Sequence, residues 1–319
     1  MNAQDFIISK LEELKKPDGL AKPSSEQLEA EIVRLILSKK FRKYSANESL
    51  VDQVKHAVHL SVSKNEPINF AFLHGAYKLW RLEETPEVDW AELFSLMYYS
   101  KWLKPICEIY EPGVWFDSYV DDTIIKRIDN ISQDEIDAYI ISYRKLIDFL
   151  SEYQPKNLKM TMTTSSSQLG GEEALDKQID ENLPKTEFPV LDDAQRKMVE
   201  MNVRLKPGQD DDPEWREKIM HVHNAYAGIK RSATYAYGQD NKILVFSQPL
   251  PSGRFVAVGT TKNSIMKFWI GVGVLKRKDE AFEPTILSSG QLKGQSFDIQ
   301  DVSISGLTGK NFSKIRVLK

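Results

Sequence analysis

Cysteine is nearly absent from this chain: Cys107 is the single one in 319 residues. That excludes a disulfide framework and a Cys-rich zinc site, and it fits a reducing compartment. Histidine is scarce as well, at five residues. His56 and His59 stand three apart on an expected helix, but only Asp52 lies near them on that face, short of the three protein ligands a catalytic zinc takes. His221 and His223 are two apart and point to different sides of a helix. No bound metal is expected, and no organic cofactor is implied. An excess of one charge is also missing, since 43 Lys+Arg against 46 Asp+Glu leave a formal −3. This argues against a dedicated polyanion binder while leaving room for a local basic patch. No apolar run approaches the roughly 18–20 residues that span a bilayer. The opening MNAQDFIISKLEELKK has no basic segment leading into an uninterrupted apolar stretch, so no secretory signal is expected. A soluble cytoplasmic protein is the resulting expectation. There is no Walker A motif and no Gly-x-Ser-x-Gly elbow. Gly271-Val-Gly273 lacks a third glycine and lies in a β-rich run, so it is no dinucleotide fingerprint.

What is present suffices for a substantial core: 41% of residues are hydrophobic and 10% aromatic. At roughly 150 residues per domain, the length suits one large domain or two ordinary ones. Apolar spacing predicts helices over 5–16, from Ser24–Gln27 (read as a capping box) to about Lys40, and over 48–64. The short apolar run Ile68–Leu73 then reads as a buried strand ending in His74-Gly75. Residues 89–104 form a Trp- and Tyr-rich helix capped by Asp89 and broken or kinked by Pro105. After a Pro-Gly turn comes an alternating strand with Val114, Phe116 and Val120 on one face. Ser132 and Glu135 form a capping box for a helix over 133–152. This strand–helix alternation favours a doubly wound sheet.

The composition changes at Pro155. Residues 155–172 (PKNLKMTMTTSSSQLGGE) are polar and Ser/Thr-rich, and read as a mobile loop, lid or linker. Helical patterns resume over 172–183, 191–205 and 213–235, followed by strand-like segments. The expected organisation is an α/β half at 1–154 with a helical lead-in, a mobile linker or lid at 155–190, and a C-terminal helix plus β-rich half at 191–319.

Candidate site residues cluster at strand ends. His74 stands where an apolar strand meets glycine, a place where ligands collect in open α/β sheets; an exposed loop histidine is the plainer alternative. Nearby, Lys78 and Arg81 flank Leu79-Trp80. Arg81 suits bidentate grip of a phosphate or carboxylate, and Lys78 suits a point charge or, if desolvated, a Schiff base. Alternatively, both cations lie over Trp80 at the surface. Asp121 and Asp122 close the second strand and suit an amine, a hydroxyl or a base, or else a turn cap. Lys230, Arg231, Lys262 and Lys267 are further cations that either complete a phosphate pocket or decorate a solvated face.

The order of these pieces resembles the isocyanide (isonitrile) synthase family of pyoverdine and dityrosine biosynthesis. The likeness rests on the strand 67–73 with its Lys-bearing turn HGAYK (74–78), on DWAEL (89–93), on IYEPG (109–113), and on the strand-end Asp121 or Asp122. It covers residues 25–150 and, faintly, 190–275. The resemblance implies an α/β fold with a Rossmann-like core sheet flanked by helices, beside a more β-rich C-terminal half. It implies a lyase-type biosynthetic enzyme that turns an amino-acid amine into an isonitrile with carbon from ribulose 5-phosphate. Lys78 would match the family lysine that activates the sugar ketone, and Asp121 the aspartate that accepts a proton or anchors the amine. His74, Arg81, Asp122, Lys230, Arg231 and Lys262 would bind substrate. The family's His-Pro pair is replaced here by Ser247-Gln248-Pro249, and its Thr-Pro-Trp-His phrase is missing. The alternative is a nucleic-acid-binding or -modifying protein, suggested by cation–aromatic mixtures and the basic tail from Lys310 to Lys319. A third option, a scaffold docking a partner through helix 89–104, competes poorly with ordinary core packing.

Overall fold

The computed structural model describes residues 1–42, 45–75, 80–232, 241–246, 256–257 and 270–319; within these, the side chains at 73, 75, 230–232, 246 and 256–257 lie outside the description. Three lead-in helices come first: α1 (Ala3–Lys15), α2 (Ser25–Ile36) and α3 (Glu48–Ser63). The core then alternates through β1 (Ile68–Gly75), α4 (Trp90–Ile109), β2 (Val114–Asp121), α5 (Thr123–Asp129), α6 (Gln133–Ser151) and β3 (Leu158–Thr164). After β3 follow α7 (Ser165–Gln168), α8 (Glu172–Asn182), α9 (Asp193–Asn202) and α10 (Trp215–Ser232). The chain re-enters the sheet as β4 (Lys242–Phe246) and β5 (Val256–Ala257), and then builds a second sheet from β6 (Gly271–Lys278), β7 (Ala281–Ser288), β8 (Phe297–Asp301) and β9 (Lys314–Leu318).

The first sheet is parallel, in the order β3-β2-β1-β4-β5. The chain runs outward from β1 to β3 on one side and then crosses to β4 on the other. The border between β1 and β4 is therefore a topological switch point, the Rossmann-like arrangement expected above. The second sheet is mixed, in the order β7-β6-β9-β8. One core cluster reaches from Phe6 in α1 through Phe70, Trp102 and Tyr139 to Ile315 and Val317 in β9, so both sheets share an interior.

Several local signals form as expected. Asp89 accepts from Ala91 N at 2.6 Å and, with Glu92, closes a capping box on α4; Ser132 and Glu135 do the same for α6. Ser24 precedes α2 without a side-chain cap bond, so the Ser24–Gln27 box is not made. Pro105 does not end α4, which continues to Ile109. A proline inside a helix removes one hydrogen bond; here the residue four positions back is Lys101, on the exposed side of the helix. The Pro112-Gly113 turn has a backbone cause. Gly113 sits at φ +72°, and a Cβ there would lie 2.0 Å from the Asn157 carbonyl oxygen. That close approach lets Val114 N donate to Asn157 O at 2.9 Å and Ile68 N donate to Gly113 O at 3.0 Å, which sets β2 against both neighbours.

The largest difference concerns residues 155–172. The stretch expected as loop, lid or linker supplies the edge strand β3 and the short helix α7. Its sequence alternates Leu158, Met160 and Met162 with Lys159, Thr161 and Thr163; the three apolar side chains are buried. Period two outweighs polar composition because each buried residue needs only one inward face.

The second sheet is fastened to the start of α4. Trp90 Nε1 donates to Lys314 O at 2.7 Å, and Asn311 Nδ2 donates to the carbonyls of Glu84 and Val88 at 2.9 and 3.0 Å. A Cβ on Gly273 would lie 2.3 Å from Ala91 N and from Trp90 C, so only glycine lets β6 lie against that first turn. Its amide donates to the buried Asp89 Oδ1 at 3.3 Å. Gly273 is thus a packing glycine.

Candidate functional site

Strand alternation divides the parallel sheet into two unlike faces. One carries Phe70 and Phe72 of β1, Val114, Phe116 and Val120 of β2, Met160 and Met162 of β3, and Ile243 and Val245 of β4, all buried. Helices α4 and α6 cover it: Tyr99 stacks on Phe116 with centroids 4.7 Å apart, Trp102 meets Phe70 edge-on at 5.3 Å, and Tyr143 stacks on His74 at 5.8 Å. Burial raises the Tyr99, Tyr139 and Tyr143 phenols above their ordinary range, so they stay neutral hydroxyls.

The opposite face is polar. In register across it stand Asn69 of β1, Trp115, Asp117, Tyr119 and Asp121 of β2, Thr161 and Thr163 of β3, and Lys242 of β4. Asp117 is 2% exposed. Its Oδ1 accepts from Thr161 Oγ1 at 2.6 Å and its Oδ2 from Thr163 Oγ1 at 3.1 Å, while Trp115 Nε1 donates to Thr161 Oγ1 at 2.7 Å. The Tyr119 hydroxyl also hydrogen-bonds to Asp117. Lys242 Nζ contacts that same hydroxyl and lies 4.8 Å from the Tyr119 ring centroid. Burial raises the Asp117 carboxyl against the opposing pull of the two threonines and Lys242. Burial lowers the Lys242 ammonium, with Asp117 pulling it back up. Both shifts run toward the neutral acid and the neutral amine.

At the carboxyl rim, Asp121 Oδ1 accepts from Ser165 Oγ at 2.9 Å and from the Tyr226 hydroxyl of α10. These bonds draw the start of α7 and the face of α10 to the strand end. Asp122 is buried; Ser166 N donates to its Oδ1 at 3.1 Å and Ser166 Oγ to its Oδ2. Asp122 therefore holds the β3–α7 turn in place.

The residues singled out from sequence separate accordingly. Asp121 lies at the rim on the polar side. His74, 3% exposed, turns to the apolar side, stacked on Phe72 at 5.2 Å, because one residue of offset along β1 reverses the face. His74 and Asp121 are thus not brought together. Arg81 is exposed, with its guanidinium 6.0 Å from the Trp80 ring centroid, the surface arrangement weighed as its plainer reading. Lys78, Lys262 and Lys267 lie outside the described residues. Lys230 and Arg231 fall in the last turn of α10, with side chains outside the description. His59 Nδ1 pairs with Glu29 at 3.1 Å, and His221 Nε2 with Thr186 O at 2.8 Å. Sequence reasoning missed Asp117, Tyr119, Lys242, Ser165 and Tyr226. The complement of the Val114–Phe116–Val120 pattern would have shown Asp117 and Tyr119.

A cavity of about 560 Å³ between α1, α4 and β7 lies elsewhere, lined by Phe6, Leu14, Phe94 and Phe282. Its buried ammonium, Lys104, is held by Lys16 O at 2.8 Å and Asp18 at 3.3 Å, and Lys10 pairs with Glu13. Lys10, Lys16, Lys101, Lys104 and Lys278 and the carboxylates of Glu13, Asp18 and Glu283 also line it, but it lies away from the parallel sheet's carboxyl rim, so the sheet's polar face is the better candidate for chemistry. The basic C-terminal tail is not a free arm. Arg316 in β9 pairs with Glu83 and Glu84, and Lys310 donates to Thr85 O at 2.7 Å, so the nucleic-acid reading gains no support. Among the described residues, no helix is long and apolar enough to cross a membrane.

Fold and site together define an α/β protein with a Rossmann-like parallel sheet, ionisable residues on one sheet face, and a second sheet docked on the N-terminus of α4. The PvcA protein from Pseudomonas aeruginosa shares this fold, with a TM-score of 0.58 and 16% sequence identity, over 92% of this chain and 100% of that one. No protein-family model and no curated protein sequence matches the chain.

Proposed function

We propose that the protein is an isonitrile-synthase-like biosynthetic enzyme that joins an amino-acid amine to a sugar phosphate by carbonyl chemistry. The fold shared with PvcA over 92% of this chain supports this reading, as does the motif order HGAYK, DWAEL and IYEPG. The observation that carries it is the placement of Asp121 at the carboxyl rim one strand from the switch point, with Asp117 and Tyr119 further down the same strand face and Lys242 reaching Tyr119 from the amino end of β4.

In this reading Asp121, oriented by Ser165 and Tyr226, anchors the substrate ammonium and accepts its proton. Asp122 acts one step back, through Ser166. A cation activates the ketone, and the resemblance offers Lys78 for that role. Arg81, Lys230, Arg231 and Lys262 supply candidate phosphate-binding cations, and His74 packs beneath the rim. The substrates are small molecules, and the reaction needs no step through a metal.

The test is incubation of the purified chain with tyrosine or tryptophan and ribulose 5-phosphate, with isonitrile product read by mass spectrometry. Asp121→Asn should lower turnover by about 100-fold or more, the usual scale for losing a positioned base. No isonitrile from either amino acid, or undiminished turnover in Asp121→Asn, would remove this assignment. Full activity in Lys78→Ala would take Lys78 out of the mechanism.

A further inference from the structure

Inside most parallel sheets both faces are apolar because helices cover both. Here one face carries an acid and a phenol on β2 and an amine from the amino end of β4, joined in one chain. Thr161 and Thr163 fix the Asp117 carboxyl, Tyr119 O–H reaches Asp117, and Lys242 Nζ reaches the Tyr119 oxygen. Asn69, beside Lys242 in register and 7% exposed, turns a buried Oδ1 that has no hydrogen-bond partner among the described residues. A pair kept only for stability gains little from such surroundings, since well-packed apolar side chains commonly do as well or better in its place. Lys242 and the threonines remain partly accessible while Asp117 does not, so the amine is the reachable end of the chain.

We infer that Lys242 is the amine that captures the substrate ketone as a Schiff base, with Asp117 and Tyr119 relaying the proton. This deepens the proposed function and rests on it for the identity of the ketone. The Lys242 nitrogen lone pair attacks the carbonyl carbon, and the C=O π pair moves to oxygen. Transfer of one nitrogen proton to that oxygen gives the neutral carbinolamine. Asp117, as the carboxylic acid, then protonates the hydroxyl through the Tyr119 O–H. The C–O bond breaks, water leaves, and the nitrogen lone pair closes C=N. The products are the iminium of Lys242, one water and the Asp117 carboxylate, with no oxidant or reductant required. The upward shift of Asp117 and the downward shift of Lys242 both favour the protonation states this sequence begins from. An iminium beside a fresh carboxylate is then placed for loss of a neighbouring C–H proton.

The test is borohydride trapping on the full chain with ribulose 5-phosphate, followed by digestion and peptide mass mapping. The expected result is a reduced adduct on Lys242 that forms at least about tenfold faster than on the exposed Lys159, is absent in Lys242→Met, and slows by about 100-fold in Asp117→Asn. In Lys78→Met the adduct should still map to Lys242. Thermal unfolding of each variant identifies any that fail to fold, and the mapping of the unmodified chain needs no variant. An adduct on Lys78 instead, or Lys242 labelling no faster than Lys159, overturns the inference. The two readings fail separately. Trapping at Lys242 without isonitrile formation upholds this inference and sinks the product assignment. Wild-type isonitrile turnover in Lys242→Met does the reverse.

Discussion

The two faces of the parallel sheet are made from the same strands, yet they do different work. The face under α4 and α6 is a packed interior in which burial pushes the Tyr99, Tyr139 and Tyr143 phenols toward the neutral form and aromatic rings meet at 4.7 to 6.2 Å. The opposite face carries Asp117, Tyr119 and Lys242, where burial raises the acid and lowers the amine. In the proposed reading rigidity comes from the first face and chemistry from the second, and alternation along each strand ties them together. Substitutions should therefore sort by face: stability losses on one, activity losses on the other.

The strongest break should come from Phe116→Ala, which removes a fully buried ring stacked on Tyr99. A loss of about 3–5 kcal/mol is expected in urea unfolding. Next is Gly113→Ala. It forces a Cβ into contact with Asn157 O at a positive φ, costs about 2–3 kcal/mol, and disturbs the register that assigns residues to faces. On the polar face, the double change Asp117→Asn with Lys242→Met should move stability by only about 1 kcal/mol in either direction while abolishing ketone trapping. A loss comparable to that of Phe116→Ala would erase the distinction between the faces.

The smallest effect lies off both faces, at the bidentate clasp of Arg204 on Glu135, with bonds of 2.8 and 2.6 Å. The guanidinium lowers the Glu135 carboxyl to about 2. Because the folded value lies below the unfolded one, the clasp's contribution is complete above about pH 4.5 and disappears as pH falls toward 2. Solvent screening limits it to about 1 kcal/mol. Acid unfolding of Glu135→Gln should lack that component, and variants on either face should keep it. Cys107 offers a common readout. Its thiol is buried and pushed up to about 12, so alkylation at neutral pH should follow unfolding of the apolar face and ignore changes on the polar one.

Much of the scaffold was legible because its signals are local. The Asp89 and Ser132 caps, the period of α6 and the apolar run of β1 each act within a few residues. What escaped notice depends on partners far away in the chain. Lys242 follows a long excursion through α8–α10, and only strand pairing brings it beside Asn69 and within reach of Tyr119. β3 was hidden by composition: threonine reads as loop when counted, yet its branched Cβ suits a strand whose other side is methionine and leucine. The rim was half legible. The sequence points to Asp121, but a strand end has two sides, and His74 falls on the other one.

The bare backbone of Gly273 against Trp90 and Ala91 has a mechanical consequence. The helix resting there also packs its Tyr99 and Trp102 against Phe116 and Phe70 of the sheet, so one rigid element braces the C-terminal strands and the parallel sheet alike. Severing the chain between the two sheets would therefore yield no autonomous pieces; one fragment would lose its brace and the other its seat.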